Sequence, residues 1–335
     1  MERLSATIEN SFPEKQIVIV GDLVADQFLH GTIARVSREA PVFILRHDDT
    51  DTRAGAAANA AVNIASLGAR PILVGLTGSD ENGGLLLESL RRSGVNCDFI
   101  ASEPSLKTTT KVRVLAGQHY AARQQVIRID YENKSEISAS VRGRLLSSFE
   151  SATQNADAII ISDYNYGVAD QSVYELALQI AKRRSIPLLI DSRSRLGDFP
   201  NATSATPNQD EVEQLIGKDF TAEKCSALRE KLGFESLLVT CGNQGMLLVQ
   251  PNFEPKRIAA IGSVEPVDVT GAGDTVIAVY ALGLASGLSF FNAAEIANHA
   301  GGIVVMKKGT ASISPDELLE SIRTHSKPDT LESSA

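Results

Sequence analysis

Apolar segments with the length of strands alternate with helical segments along most of this sequence. Residues 16–20, 158–162 and 186–190 are mainly Ile, Val, Leu and Ala, and helical patterns such as 138–155 separate such segments. A strand that is apolar on both faces needs cover on both faces, as in a parallel sheet flanked by helices. The alternation therefore predicts an α/β fold built on a central, mostly parallel sheet.

Two segments depart from this alternation. Polar and apolar residues alternate along 108–115 and again along 124–130, and a glycine-containing link joins the two. This pattern predicts an antiparallel β-hairpin inserted as a small lid. The charged segment 32–46 is interpreted either as a solvated loop or as an arm that holds a charged substrate. We predict one domain over 1–325, with lid elements around 32–46 and 108–131, and a flexible polar tail at 326–335.

Charge and composition exclude several classes of protein. The 335 residues carry a net charge of −9, which argues against nucleic acid or an anionic membrane as the main partner. The first 16 residues are polar and no run of 18 apolar residues occurs, so we expect a cytoplasmic protein. Three widely spaced cysteines make a disulfide framework or a structural metal site an unfavourable interpretation.

A polar, glycine-interrupted turn at 268–274 (DVTGAGD) precedes an apolar run at 276–284. The turn is expected to open a helix, whose first backbone N–H groups are unpaired and favour anions, and Gly271 and Gly273 permit close approach. Asp274 lies beside this anion cradle, where a carboxylate can take a proton from a hydroxyl that attacks a phosphoryl group. The alternative is that Asp274 only caps the helix.

Further candidates lie in the first quarter of the chain. Asp22 and Asp26 follow the first strand, at the edge where an open α/β sheet binds its ligands, although a turn and a helix cap are equally good explanations. Small residues including Gly55 lead to Asn59 at the start of a helix. They permit close approach of a ligand, and tight helix packing explains them equally well.

Other polar residues are spaced for charged ligands. Asn208 and Glu211 are one helical turn apart and could face a hydrated Mg²⁺, but spacing alone favours a helix cap. Thr240, Gly242 and Gly245 belong to a strand, turn and strand that leave a ledge for a purine. The lid strands carry Lys111, Arg113 and Arg128, which either cover the crevice with positive charge or are simply solvated.

Several of these motifs occur in an order that resembles the ribokinase-like (PfkB) carbohydrate kinases. The matching residues are Gly21 and Asp22, the small residues before Asn59, the pair Asn208 and Glu211, and the 268–274 turn. The resemblance implies a three-layer ribokinase-like fold that uses ATP and Mg²⁺, with a monovalent cation as an open question. It implies that Asp274 is the base, that Gly271, Ala272 and Gly273 form the anion hole, and that Asn208 and Glu211 order Mg²⁺ through water. Thr240, Gly242, Gly245, Thr270 and Asn298 are then expected on the nucleotide side.

Within this family the chain is most similar to the D-glycero-β-D-manno-heptose 7-phosphate kinases. The similarity lies in residues 35–42, 63–68, 74–78, 110–115, 124–130, 162–164 and 268–277. It implies transfer of the γ-phosphate of ATP to the C1 hydroxyl of the heptose phosphate, a step toward ADP-heptose and lipopolysaccharide core. Arg35, Lys111, Arg113 and Arg128 become candidates for holding the substrate phosphate. The resemblance also implies a homodimer formed through the hairpins.

Three departures from the family pattern leave the acceptor open. Ala56 stands where a second glycine is usual, Tyr166 stands where a lysine is common, and the link 116–123 is longer than usual. A kinase for fructose, a fructose phosphate or ribose is the alternative, followed by a non-catalytic regulator that binds a sugar or a nucleotide. A nicotinamide dehydrogenase is disfavoured further because no Gly-x-Gly-x-x-Gly follows the first strand. The chain has no His-x-Gly-His motif, so we expect a separate adenylyltransferase to act downstream.

Overall fold

A computed structural model describes residues 2–117, 123–133, 135–262 and 265–325. The predicted tail at 326–335 and most of the link 116–123 lie outside these ranges. The strands are β1 Gln16–Gly21, β2 Leu23–Val36, β3 Phe43–Ala56, β4 Arg70–Gly78, β5 Asn96–Glu103, β6 Thr109–Gly117, β7 Gln124–Tyr131, β8 Ala158–Asp163, β9 Leu188–Ser192, β10 Ser204–Ala205, β11 Ser236–Thr240, β12 Met246–Val249 and β13 Lys256–Ile258. The α-helices are α1 Glu2–Ala6, α2 Ala57–Ser66, α3 Glu81–Arg92, α4 Ala139–Ala152, α5 Gln171–Arg184, α6 Gln209–Ile216, α7 Ala222–Leu232, α8 Ala272–Ala285, α9 Phe290–Val304 and α10 Pro315–His325.

In the described residues, nine strands form the central sheet, in the order β13-β12-β11-β10-β9-β8-β1-β4-β5. Neighbours from β11 through β5 run parallel, whereas β12 and β13 add an antiparallel edge. The carboxyl ends of β1, β8 and β9 are in register, because Gly21 pairs with Ser162 and Ser162 pairs with Asp191. The loops that follow these three strands therefore meet at one edge of the sheet.

Two apolar cores cover the two faces of this sheet. Ile17 and Ile19 of β1 pack into the core formed with α2, α8 and α9, and Val18 and Val20 pack into the core formed with α4, α5 and α7. Successive side chains of a strand point to opposite faces, so a strand between two helical layers must be apolar at every position. This arrangement confirms the predicted α/β fold with a mostly parallel sheet.

A separate four-stranded sheet has the order β3-β2-β6-β7. The predicted hairpin is present, since β6 and β7 pair antiparallel, and β2 and β3 form a second, longer hairpin beside it. The interpretation of 32–46 as a solvated loop is therefore wrong for most of that segment, which belongs to the β2–β3 hairpin. Asp26 lies within β2, so it is not a helix cap. The role of this sheet as a lid stays a prediction.

Capping side chains define where several helices begin. Asp80, Ser138 and Asp170 each accept a hydrogen bond from a backbone N–H in the first turn of the helix that follows. Such caps stabilise a helix by about 1 kcal/mol. The helix α8 begins differently, because Gly271 precedes it with a φ of 80° and offers no capping side chain. Across the described residues, no helix is both long enough and apolar enough to span a bilayer.

Candidate active site

Asp274 lies in the first turn of α8, and its carboxylate is 3% exposed. Its Oδ2 accepts a hydrogen bond from Asn59 Nδ2 at 2.8 Å, and its Oδ1 accepts one from the Tyr164 hydroxyl at 2.7 Å. Burial raises the pKa of Asp274 to about 6, although both hydrogen bonds and the charge of Arg193 lower it. A buried carboxylate with a pKa close to neutrality has the properties of a general base.

Asn59 reaches Asp274 because α2 and α8 pack side by side in one apolar core. The chain enters α2 through Ala56, which has a φ of 57° and a ψ of −134°, a conformation that mainly glycine adopts. Asn63, one turn further along α2, donates to the Asn59 backbone oxygen at 3.0 Å. The sequence prediction that Asn59 lies at the start of a helix agrees with this placement.

Gly271 and Gly273 differ in the space that surrounds them. A Cβ atom at Gly271 would lie 2.5 Å from Asn59 Nδ2, and its positive φ is unfavourable for any other residue. Gly273 faces open space, because a Cβ atom added there would have no neighbour within 4 Å. The Ala272 N–H donates to the Val269 carbonyl at 3.2 Å. In the part of the chain that the structure describes, the N–H groups of Gly271 and Gly273 have no such backbone acceptor and can receive an anion.

Asp22 has a different environment from Asp274, although both are buried. Its two carboxylate oxygens accept three backbone N–H groups, from Tyr164 at 2.8 Å, Tyr166 at 3.0 Å and Val168 at 3.0 Å. Burial raises the pKa of Asp22, and these three hydrogen bonds oppose the shift. Asp22 therefore fixes the loop that carries Tyr164. A direct contact with substrate stays a prediction.

Asp26 and Arg113 form an ion pair between neighbouring strands of the four-stranded sheet. Their Oδ1 and Nη1 atoms are 2.5 Å apart, and both side chains are largely buried. Gly55 lies on the neighbouring strand β3, paired with Val24, and a Cβ atom added there would approach Asp26 Oδ2 to 2.6 Å. Gly55 is therefore required by the packing of Asp26, and Arg113 has an acidic partner in the protein itself.

The other lid cations differ in their surroundings. Lys111 is 8% exposed, and its ammonium lies 5.5 Å from the centre of the Tyr164 ring. Arg128 is exposed and bound to Asp130, two residues along the same strand, at 2.5 Å. Arg35 is exposed near the far end of β2. The structure thus brings Lys111 and Arg113 to the cleft, whereas Arg35 and Arg128 lie on the surface.

Asn208 and Glu211 form the capping box that their spacing favoured. Asn208 Oδ1 accepts the Glu211 N–H at 2.9 Å, and Glu211 Oε2 accepts the Asn208 N–H at 2.8 Å. Burial raises the pKa of Glu211, and it raises the pKa of the neighbouring Asp191 well above its usual range, with the charges of Asp274 and Glu211 adding to the effect. Carboxylates can bind a hydrated Mg²⁺ through its waters, although the described residues contain no group of three or more His, Cys, Asp or Glu side chains that could hold a metal ion.

The residues predicted for the nucleotide side are spread over three loops. Thr240 forms a bridge with Asn208 at the end of β11, and Gly245 lies where β13 leaves no space for a side chain. Gly242 is exposed in the same turn. The Thr270 N–H donates to Asp268 Oδ1 at 2.9 Å. Asn298 is buried on α9 and donates to the Ala259 carbonyl at 2.7 Å, so it orients the segment after β13.

Four residues near Asp274 were not among the sequence candidates. Tyr164 and Arg193 follow β8 and β9, and the Arg193 guanidinium lies 4.4 Å from the centre of the Tyr164 ring. Asp191 is the next-to-last residue of β9. Thr310 lines the cleft with a buried hydroxyl that has no hydrogen-bond partner in the described residues. For Tyr164, Asp191 and Arg193, the sequence signal that could have identified them was the polar residues at and directly after the ends of β8 and β9.

One small cleft is lined by Asp274, Gly271, Lys111 and Arg193. The residues that complete its lining are Val24, Asp26, Ala56, Arg113, Tyr164, Thr270 and Thr310. Two carboxylates, three cations and the Gly271 N–H, which has no backbone acceptor in the described residues, therefore face the same small volume. This combination suits proton transfer from a hydroxyl beside a bound phosphoryl group.

Comparison with curated proteins gives long matches to bifunctional enzymes. The chain is 40% identical over 320 residues to the Bifunctional protein HldE of Pasteurella multocida (strain Pm70), covering 94% of this chain and 65% of that protein. It is also 40% identical over 321 residues to the Bifunctional protein HldE of Vibrio parahaemolyticus, covering 94% of this chain and 64% of that protein. The chain thus spans somewhat less than two thirds of the length of these relatives.

Comparison with solved structures supports the fold. A ribokinase from Arabidopsis thaliana complexed with ribose and ATP matches with a TM-score of 0.69 and 21% identity, over 92% of this chain and 98% of that one. Phosphofructokinase-2 from Escherichia coli in complex with substrates and products matches with a TM-score of 0.76 and 17% identity, over 93% of this chain and 100% of that one. These matches confirm the ribokinase-like fold.

A family model settles the class of enzyme. The family described as pfkB family carbohydrate kinase matches residues 15–317, which include both sheets and the α8 turn. The predicted class, a phosphotransferase that acts on a sugar hydroxyl, is confirmed by this match together with the long curated matches. The chain belongs to the pfkB family of carbohydrate kinases.

Proposed function

We propose that this chain transfers the γ-phosphate of ATP to the C1 hydroxyl of D-glycero-β-D-manno-heptose 7-phosphate, with Asp274 as the base. One observation carries the proposal: Asp274 is buried at the start of α8, held by Asn59 and Tyr164, beside the Gly271 and Gly273 N–H groups, which have no backbone acceptor in the described residues. Helix N-termini stabilise phosphoryl groups, and the neighbouring carboxylate is placed to accept the proton of an attacking hydroxyl.

The proposed reaction forms one bond to phosphorus, breaks one, and moves one proton. The acceptor oxygen forms a bond to the γ-phosphorus, the bond from that phosphorus to the β–γ bridging oxygen breaks, and ADP leaves. Asp274 takes the proton of the acceptor hydroxyl. Asn59 and Tyr164 orient the carboxylate and favour its ionised form, and the N–H groups of Gly271 and Gly273 stabilise charge on the transferred group.

The proposal includes Mg²⁺, which Glu211 would hold, with Asn208 and Asp191 beside it. One Glu211 oxygen is used by the capping box, and the other has no partner among the described residues. When bound, Mg²⁺ neutralises the charge of the nucleotide phosphates. Asn208 fixes the carboxylate by its backbone N–H, so the helix cap and the metal role of Glu211 are compatible.

The heptose phosphate is supported by the relatives and by the lid cations. The chain is 40% identical to HldE proteins, and Lys111 places a positive charge 5.7 Å from the centre of the Tyr166 ring. Tyr166 stands where relatives were expected to carry a lysine, so Lys111 supplies a charge in the same neighbourhood. A kinase for another sugar stays the alternative because Ala56 also departs from the expected glycine.

A homodimer that forms through the four-stranded sheet is part of the proposal. Several large apolar side chains on this sheet and its β2–β3 turn are exposed: Val36, Val42, Phe43, Val126, Ile127, Ile129 and Tyr131. Exposed apolar groups at this density mark an interaction surface. A cytoplasmic location and a separate downstream adenylyltransferase are also retained as proposals.

The test is ADP release with ATP and Mg²⁺ across a panel of acceptors. The panel contains D-glycero-D-manno-heptose 7-phosphate, sedoheptulose 7-phosphate, fructose, fructose 6-phosphate and ribose. Selective turnover of the heptose phosphate is expected. Faster turnover of an unphosphorylated ketose would remove the heptose assignment but keep the role of Asp274.

A further inference from the structure

Lys111 is a buried cation that forms no ion pair with any described carboxylate. Lys111 is 8% exposed, and within the described ranges no carboxylate lies within ion-pair distance of its ammonium. Asp26 is paired with Lys111 in the β2–β6 register, but its carboxylate binds Arg113 at 2.5 Å. Lysine is seldom buried without a partner, because desolvating an ammonium is costly. The environment of Lys111 is therefore incomplete without an anion.

Arg193 brings a second cation to the same aromatic ring. Its guanidinium lies 4.4 Å from the centre of the Tyr164 ring, and the Lys111 ammonium lies 5.5 Å from that centre. Stacking on Tyr164 compensates part of the lost hydration of each cation. Among the described carboxylates none forms an ion pair with Arg193, whereas Arg195, two residues further on, binds Asp163 at 2.5 Å.

The two cations influence each other. Burial lowers the pKa of Lys111, and the charges of Arg193 and Arg128 lower it further, whereas the charges of Asp26 and Asp130 oppose the shift. Two like charges in a partly desolvated cleft destabilise each other, and a dianion between them would relieve both costs at once. A single carboxylate would be a weaker match, because a phosphate offers oxygens for a guanidinium fork and an ammonium together.

Lys111 and Arg193 lie close to the proposed base. Lys111 and Arg193 line the same cleft as Asp274, and the ring that both contact belongs to Tyr164, whose hydroxyl lies 2.7 Å from Asp274 Oδ1. The unpartnered hydroxyl of Thr310 in the described residues lines that cleft as well. A phosphate held by the two cations would therefore lie close to the proposed base.

We propose that Lys111 and Arg193 form a phosphate subsite on the ring of Tyr164, beside Asp274. The inference rests on the proposed function and deepens it, because it selects these two cations over Arg35, Arg113 and Arg128. The ligand is a phosphoryl group from one of two sources. It is either the phosphate ester that the sugar acceptor already carries, or the phosphoryl group that is being transferred.

Binding of inorganic phosphate tests the subsite without reference to the sugar. The chain is titrated with phosphate and followed by ³¹P line broadening and by the thermal midpoint, for the wild type, Lys111→Gln, Arg193→Gln and Arg193→Lys. Each Gln variant is expected to raise the half-saturating phosphate concentration about tenfold. Arg193→Lys keeps the charge but loses the fork, so an intermediate value is expected.

Arg92→Gln is the matched control, because Arg92 is an exposed arginine on α3 and its loss changes the net charge equally. Phosphate affinity like that of the wild type is expected for this control. If Lys111→Gln and Arg193→Gln bind phosphate as tightly as Arg92→Gln does, the subsite is overturned. A Gln variant that does not fold is replaced in this comparison by Arg193→Lys.

Steady-state kinetics with phosphorylated and unphosphorylated heptose distinguish the two sources. If the subsite holds the ester, the Gln variants lose the preference for the phosphorylated sugar, because kcat/KM falls by a larger factor with the phosphorylated sugar than with the unphosphorylated one. If it holds the transferring group, kcat falls by the same factor with both acceptors. Unchanged kinetics with both acceptors would contradict either role. Failure of the wild type to use either heptose would overturn the proposed function, while the phosphate titration would still decide the subsite.

Discussion

Asn59, in the first turn of α2, donates its side-chain amide to Oδ2 of Asp274, in the first turn of α8, at 2.8 Å. The bond joins residues that are 215 positions apart in the chain. It fixes the carboxylate from one side while the Tyr164 hydroxyl fixes it from the other at 2.7 Å. The proposed base is therefore oriented before any substrate arrives, and loss of either donor should alter both its position and its pKa.

Replacing Asp274 with Asn should abolish phosphoryl transfer without unfolding the chain. The Asn oxygen can accept from Asn59, and its NH₂ group can donate to the Tyr164 hydroxyl, which accepts as readily as it donates. Without the base, we expect kcat to fall by about 10²- to 10⁴-fold, while binding of ATP measured by calorimetry is largely retained. Asp210→Asn, at an exposed first-turn acid of α6, serves as the control. Turnover of Asp274→Asn close to that of the wild type would discard the mechanism.

The pH dependence of kcat/KM for the acceptor should show an acid limb near pH 6. Only ionised Asp274 can accept a proton, and burial raises its pKa to about 6, so activity falls as the pH drops through that value. Tyr164→Phe removes a donor that lowers this pKa, and the limb should move to higher pH by about one unit. Tyr166→Phe, whose hydroxyl donates to Glu132, should leave the position of the limb unchanged. A limb that stays in place in Tyr164→Phe would show that this donor does not tune the base.

The local part of the site was predictable from the sequence, and the part that depends on register was not. Gly271, Gly273 and Asp274 belong to one short turn, so the anion cradle and the carboxylate follow from local helix geometry. Tyr164 and Arg193 meet because Asp163 pairs with Ser192 in the β8–β9 register, which no local pattern reveals. The spacing of residues along the sequence does not reveal which strand ends become neighbours in the sheet.

The β2–β3 hairpin was missed for a related reason. Residues from Ala34 to Val36 are exposed, and much of β3 is charged and exposed, so neither the end of β2 nor most of β3 has the apolar face that identifies a strand in a sequence. The pairing of β2 with β3 and with β6 holds these residues in an extended form. Tertiary pairing therefore overrode a sequence that was typical of a solvated loop.

Glu211→Gln should separate the metal role of Glu211 from its capping role. The Gln oxygen can still accept the Asn208 N–H, so the capping box and the thermal midpoint should be maintained. Loss of the charge should raise the half-saturating Mg²⁺ concentration by about tenfold or more at fixed ATP. Glu213→Gln, on the same helix, is the control, because its carboxylate only accepts from Gln209. Unchanged Mg²⁺ dependence in Glu211→Gln would leave the carboxylate with a purely structural role.

Alanine at Gly271 and at Gly273 should have different effects. Gly271→Ala forces a non-glycine residue into a φ of 80° and a clash with Asn59, so we expect a loss of about 1–3 kcal/mol in the free energy of unfolding. Gly273→Ala meets open space in a helix, where alanine is favoured by about 1 kcal/mol, so stability should hold or rise. Turnover should nevertheless fall in both, because the added methyl at 273 enters the proposed anion cradle. Full turnover of Gly273→Ala would place the phosphoryl group elsewhere.

Ala56→Gly should stabilise the chain, which is unusual for a substitution that introduces glycine. Ala56 has a φ of 57° and a ψ of −134°, a conformation that costs a residue with a Cβ about 1–3 kcal/mol and glycine almost nothing. The greater entropy of glycine in the unfolded chain offsets part of this gain, by about 0.4–1 kcal/mol. We therefore expect a net rise of about 1 kcal/mol in the free energy of unfolding, measured by urea denaturation. Ala65→Gly, inside α2, is the matched control and should lower that free energy by about 1 kcal/mol. Equal destabilisation by both substitutions would mean that Ala56 is not strained.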